Sequence, residues 1–129
     1  MTRILFIDND EMAFQIRQCM AKVLSQLPPV ELFHANDATE GLALMEDLQP
    51  DVVILDDELP EERDLFLDSM TSIHPPVLVQ TETEKHPAPN KKKQITYIEK
   101  NESLEGIHHT LLLATTLASR DAAGDAGVV

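Results

Sequence analysis

Four apolar stretches of this chain each run directly into one polar residue able to do chemistry. Ile4-Leu5-Phe6-Ile7 ends at Asp8, and Val52-Val53-Ile54-Leu55 ends at Asp56. Val77-Leu78-Val79-Gln80 ends at Thr81, and Ile95-Thr96-Tyr97-Ile98-Glu99 ends at Lys100. Short, β-branched, nearly continuous apolar runs suit strands buried on both faces, which requires a parallel sheet covered by helices on each side. In open sheets of that kind ligands bind in the crevice at the carboxyl ends of the strands. The pattern therefore predicts two carboxylates, a hydroxyl and an ammonium gathered at one end of one sheet, a set suited to a phosphoryl group and a metal ion.

The segments between these runs read as helices. Residues 11–27 place Met12, Ile16, Met20, Val23, Leu24 and Leu27 at helical spacing, closed by Pro28-Pro29. Residues 30–35 form a second strand. Asn36 or Asp37 caps a helix through Leu48, with Leu42, Leu44, Met45 and Leu48 facing inward and Pro50 ending it. An acidic loop from Asp57 to Arg63 follows the third strand, then a short helix over 64–73, stopped by Pro75-Pro76. Residues 83–93 hold Pro87, Pro89 and Asn90 and almost no apolar stripe, so the fourth helix is expected to be short, degenerate or a plain loop. The last helix, about 103–119, places Leu104, Ile107, Leu111, Leu112 and Leu117 near one face. The expectation is one domain over 1–120 and a flexible C-terminal tail over 121–129, which has nothing to bury.

A chain of 129 residues suits a single domain. Its formal charge of −13 repels nucleic-acid phosphates, and no basic helix or aromatic-rich sheet offsets that, so direct nucleic-acid binding is not expected. Cys19 is the only cysteine, which rules out a disulfide or a cysteine-based zinc site within one chain. It is expected to be a small buried group in a reducing compartment. Asp8 and Asp10 interrupt the first apolar run before a signal-peptide core forms, and no run approaches the ~20 residues of a membrane span. A cytoplasmic protein without membrane contact is expected.

The chain resembles the receiver domain of two-component response regulators over about 3–119. Ile4-Leu5-Phe6-Ile7-Asp8-Asn9-Asp10 is similar to the acidic cluster after the family's first strand. Residues 35–42, Ala-Asn-Asp-Ala-Thr-Glu-Gly-Leu, resemble its Ala-x-Asp-Gly-x-Glu-Ala-Leu entry to the second helix, with Ala and Gly exchanged. Asp56-Asp57-Glu58-Leu59-Pro60 resembles the phosphorylation segment, with the proline four positions after the aspartate. Thr81 and Lys100 stand at the switch hydroxyl and lysine positions, and Tyr97 at the switch aromatic. The resemblance implies a flavodoxin-like, three-layer α/β fold with a five-stranded parallel sheet in the order 2-1-3-4-5. It implies Asp56 as phosphoacceptor, attacking the phosphohistidine of a histidine kinase or phosphotransfer protein. It also implies Mg²⁺ held by Asp8, Asn9, Asp56 and the Glu58 backbone carbonyl, the hard oxygen set that this ion prefers. Lys100 would neutralise phosphoryl oxygens, Thr81 would hydrogen-bond the bound group, and Tyr97 would turn inward to shift a conformational population read by a downstream protein.

Four positions depart from the family pattern. Asn9 replaces an acid that touches the metal, and Glu82 replaces the small residue beside the switch threonine. Asp64 stands in place of a glycine and Asn101 in place of a proline. Two other readings therefore stand beside the first. The fold serves a phosphorylation-independent pseudo-receiver in one. In the other, a haloacid-dehalogenase-like phosphatase uses Asp8 as nucleophile and Asp10 as acid, although the order of its motifs and the missing cap argue against it. The first reading makes the protein a signalling partner and not an enzyme.

The remaining candidates have plain structural explanations. A strand aromatic such as Tyr97 is as readily packing as switch. Glu58, Glu61, Glu62 and Asp64 read as a solvated acidic loop, and Lys91-Lys92-Lys93 as a solvated basic one. His34, His74, His86, His108 and His109 show no ligand spacing and read as structural or surface residues. A leucine of 111–113 left exposed on the last helix would make a second copy of the chain a candidate partner.

Overall fold

The computed structural model describes residues 1–24, 27–56, 60–70, 74–81, 94–101 and 103–127. Five strands, β1 (Thr2–Ile7), β2 (Val30–Ala35), β3 (Val52–Asp56), β4 (Val77–Thr81) and β5 (Ile95–Glu99), pair in parallel in the order β2-β1-β3-β4-β5. The helices are α1 (Glu11–Val23), α2 (Ala38–Leu48), α3 (Pro60–Ser69) and α4 (Leu104–Gly127). This is the doubly wound, flavodoxin-like arrangement. Asp57, Glu58, Glu82 and the expected weak fourth helix over 83–93 lie outside the described residues, as do His86 and Lys91-Lys92-Lys93.

Strand alternation sorts the core into two layers. Ile4, Phe6, Val52, Ile54 and Leu78 pack with Phe14 of α1 and with Ile107, Leu111, Ala114 and Ala118 of α4. Leu5, Ile7, Val53, Leu55, Val77, Val79 and Ile95 pack on the other side with Ala35, Ala38 and Phe66. The same parity assigns the polar residues at the strand ends. Asp8 and His34 continue the series of Phe6 and Leu32, on the side covered by α1. Phe6 is the register partner of His34 on β2.

Helix α1 corrects the expected inward stripe. Met12, Ile16 and Val23 are exposed, as is Cys19, while Phe14 and Arg17 are buried and Met20, Ala21 and Leu24 pack against the core. Positions 14, 17, 21 and 24 thus face the sheet, and 12, 16, 19 and 23 face away. The rotation brings Phe14 edge-on to Phe6, with ring centroids 5.9 Å apart, and delivers Arg17 to the sheet. Cys19 follows the outward stripe, which explains its exposure against expectation.

Two boundaries also move. Helix α3 begins at Pro60 rather than near residue 64, because proline suits the first helical position and Glu61 and Glu62 complement the helix dipole in the first turn. Helix α4 continues to Gly127, through the stretch from Asp121 expected to fray; Ala122, Ala123 and Ala126 lend it helix propensity.

Candidate functional site

The carboxyl ends of β1 and β3 bring Asp8 and Asp56 to one pocket, lined also by Ile7, Asn9, Asn36, Asp37, Leu55 and Glu62. Each strand delivers a buried apolar run, and its last residue emerges where the chain turns away. Lys100, just past β5, donates from Nζ to Asp56 Oδ2 at 2.7 Å. The pair is deeply set, with 11% of the lysine side chain and 4% of the aspartate exposed. Thr81 ends β4, is buried, and its carbonyl accepts from the Lys100 backbone N–H at 2.6 Å. Tyr97 lies on β5 opposite Val79 and packs, half-buried, against the apolar layer facing α2 and α3. The structure thus brings Asp8, Asn9, Asp56 and Lys100 together. Glu58, whose carbonyl the resemblance implies as a metal ligand, lies outside the described residues.

The neighbours of Asp8 are not those expected from the sequence. Arg17 Nη1 donates to Asp8 Oδ2 at 2.9 Å, with 5% of the arginine side chain and 4% of the aspartate exposed. His34 Nε2 lies 2.9 Å from Asp8 Oδ1 and 3.1 Å from the Asp8 carbonyl oxygen. Both partners only accept, so Nε2 carries the proton and donates. The Asp10 backbone N–H also donates to Oδ1, at 3.0 Å. An aromatic cage holds these donors: Arg17 Cζ sits 4.8 Å from the centre of the Phe6 ring, and His34 stacks on Phe14 at 4.9 Å.

The other acids at the rim are engaged in capping. Asp10 caps α1 by accepting from the Ala13 N–H at 3.0 Å. Asp37 caps α2, accepting from the Glu40 N–H at 2.8 Å. Glu62 reaches across from α3, and its Oε2 accepts from the Ala38 N–H at 2.7 Å. Part of the predicted solvated loop is therefore a strut between two helices.

These partners decide whether a divalent cation fits. Such an ion needs carboxylate charge that no other cation has taken, and the Asp8 carboxylate is already compensated by the buried Arg17 guanidinium on its Oδ2. Asn9 offers an amide, and Asp10 is committed to its helix. Among the described residues no three His, Cys, Asp or Glu side chains converge as a metal-binding group. The Mg²⁺ set implied by the resemblance does not fit the site in this arrangement.

Arg17 and His34 were legible only as exceptions to a pattern. Arg17 is a charged residue on the stripe of Phe14, Ala21 and Leu24, and His34 is a polar residue on the inward side of an apolar strand. A buried guanidinium requires a buried anion nearby, and Asp8 is the anion that parity assigns to that side.

No protein-family model and no curated protein sequence matches the chain. Solved structures do. The receiver domain of the Francisella response regulator 1452 superposes with a TM-score of 0.74 at 18% identity, covering 94% of this chain and 99% of that one. The chemotaxis response regulator CheY4 of Vibrio cholerae gives 0.68 at 21% identity, covering 88% and 98%. The response regulator Rcp1 in its Mn²⁺-bound form gives 0.63 at 17% identity, covering 86% and 89%. No helix among the described residues is long and apolar enough to cross a membrane. With its sheet order and with receiver domains matched along nearly their whole length, the chain has the fold of the receiver domain of two-component response regulators.

Proposed function

We propose that this protein acts as a receiver that accepts a phosphoryl group on Asp56 from the phosphohistidine of a histidine kinase or phosphotransfer protein. It acts in the cytoplasm and passes its state to a downstream protein by contact. The buried Asp56–Lys100 pair at the carboxyl edge of the sheet is the observation that carries this reading. A carboxylate oxygen of Asp56 would form the O–P bond as the P–N bond breaks, and the departing imidazole would keep the electron pair of that bond. Lys100, already beside the nucleophile, would shift its point charge onto the phosphoryl oxygens. Thr81, at the end of β4, is the candidate hydroxyl for the bound group. Rcp1 has a Mn²⁺-bound form; in this chain Arg17 already engages Asp8. The donors locking Asp8 count against the phosphatase alternative.

The test is intact mass after incubation with a small acyl phosphate, with and without Mg²⁺. Wild type should gain one phosphoryl group and Asp56→Asn none. The second reading, a phosphorylation-independent interaction module of the same fold, is favoured by the Arg17–Asp8 pair, and it predicts no gain for either protein.

A further inference from the structure

Of the four acids lining the strand-end pocket, the two that end strands, Asp8 and Asp56, each face a built-in cation. Arg17 faces Asp8 at 2.9 Å and Lys100 faces Asp56 at 2.7 Å. The remaining rim acids, Asp37 and Glu62, accept from the N-terminal amides of α2. The two strand-end carboxylates and their two cations sum to zero formal charge. A divalent ion entering beside Asp8 would meet a guanidinium already seated on its carboxylate. We infer that Arg17 is an internal replacement for a divalent cation at Asp8, so that Asp8 is charge-balanced without metal and the site accepts Mg²⁺ or Mn²⁺ only once Arg17 is removed. This deepens the receiver reading and rests on it for the identity of the pocket.

Three further observations make the replacement durable. The guanidinium comes from within the core, from the first half of α1, and not from a surface loop able to swing away. Its Cζ lies over the Phe6 ring, and the neighbouring Phe14 ring stacks on His34, another side-chain donor to Asp8. Displacing Arg17 with a hydrated ion would strand a buried guanidinium against the Phe6 ring without its anion, a costly outcome for that side chain. Asp10, the nearest acid that could have supplemented Asp8, has its Oδ1 on the Ala13 amide. Arginine is suited to this place because it stays charged when buried and stacks on aromatic faces.

The experiment counts bound Mn²⁺ by electron paramagnetic resonance and follows the melting temperature with Mg²⁺. Wild type, Arg17→Met, Arg17→Lys and Arg17→Met/Asp8→Asn are compared. Wild type and Arg17→Lys should leave Mn²⁺ free at about 1 mM, the weak end of oxygen-ligand affinities. Arg17→Met should bind one ion, its melting temperature should rise by about 4 °C at tenfold saturation, and the double variant should lose both effects. Should Arg17→Met fold only on addition of Mg²⁺, that rescue supports the replacement. A wild type that binds one Mn²⁺, with the binding lost in Asp8→Asn, overturns it; so does a folded Arg17→Met that binds none. If Arg17→Met never folds, the wild-type titration decides alone. Phosphoryl gain is read separately: Mn²⁺ binding with phosphorylation sinks this inference and keeps the receiver reading, whereas neither binding nor phosphorylation does the reverse.

Discussion

Arg17 and Asp8 form an ion pair 2.9 Å long in which less than a tenth of either side chain meets solvent. Breaking such a pair from one side leaves an uncompensated buried charge and costs about 3–5 kcal/mol, whereas removing both partners costs much less. Arg17→Met and Asp8→Asn should each lower the free energy of unfolding by an amount of that order. The loss in the double variant should be well below the sum of the two single losses. Urea denaturation of the four proteins closes the cycle, and simple additivity would mean that the pair is not coupled.

The second pair allows the same reasoning on the functional side of the pocket. Lys100 Nζ lies 2.7 Å from Asp56 Oδ2, and little of either side chain is exposed. Lys100→Met should destabilise the protein by about 3 kcal/mol because the buried Asp56 carboxylate loses its cation, with Asp56→Asn recovering most of the loss in the double variant. Phosphoryl gain should fall in Lys100→Met at matched folded fraction. A variant that keeps both its stability and its phosphoryl gain would remove Lys100 from the site.

Helix α1 tests how far hydrophobic periodicity can be trusted here. The sequence places Met12, Ile16 and Val23 on an inward stripe, yet the structure leaves them exposed and buries Phe14 and Arg17 instead. Ile16→Ser should change stability by no more than about 0.5 kcal/mol, as for a surface position. Phe14→Ala should cost about 3–5 kcal/mol, since that ring packs on both Phe6 and His34. Thermal or urea unfolding distinguishes the two orientations. A costly Ile16→Ser beside a mild Phe14→Ala would mean that the helix is turned the other way.

The strands were easy to read because each is a short apolar run that alternates sides in a parallel sheet, and nothing local competes with that pattern. The strand ends followed, so Asp8, Asp56, Thr81 and Lys100 were visible without coordinates. The face of α1 was not. Its apolar residues are spread around the cylinder, and the deciding contact is electrostatic and long-range, from Arg17 to a strand end nine residues earlier. Residue counting on an apolar stripe discards a charged side chain, which is why the partner of Asp8 escaped. Glu62 escaped for a related reason: its capping partner Ala38 is 24 residues away in sequence.

That cap makes its own prediction. Glu62 is the only side chain from α3 that reaches an N-terminal amide of α2 among the described residues. Glu62→Ala should cost about 1 kcal/mol, the usual worth of an N-terminal cap, and should accelerate hydrogen exchange at the Ala38 amide. Unchanged exchange at Ala38 would show that water replaces the carboxylate without loss.

Two glycines distinguish close approaches that can yield from one that cannot. A Cβ on Gly41 would lie 2.5 Å from Cδ1 of Ile7 and 3.0 Å from its Cγ1, both side-chain atoms. Gly41→Ala alone should cost about 1–3 kcal/mol by overpacking. Trimming the obstacle with Ile7→Val should recover most of that, because alanine is also about 1 kcal/mol better than glycine inside a helix. Gly106 differs, since a Cβ there would lie 2.5 Å from the backbone oxygen of Asn101. Asn101 Oδ1 accepts from the Ser103 N–H, and Ser103 Oγ in turn accepts from the Gly106 N–H, so this turn also caps α4. Gly106→Ala must therefore displace backbone and cap together, and Asn101→Gly cannot rescue it because the obstructing carbonyl remains. Denaturation should show recovery for the Gly41–Ile7 pair and none for Gly106–Asn101. Recovery in the second pair would mean that the Asn101 side chain, not its carbonyl, sets the approach of α4 to the Lys100 end of β5.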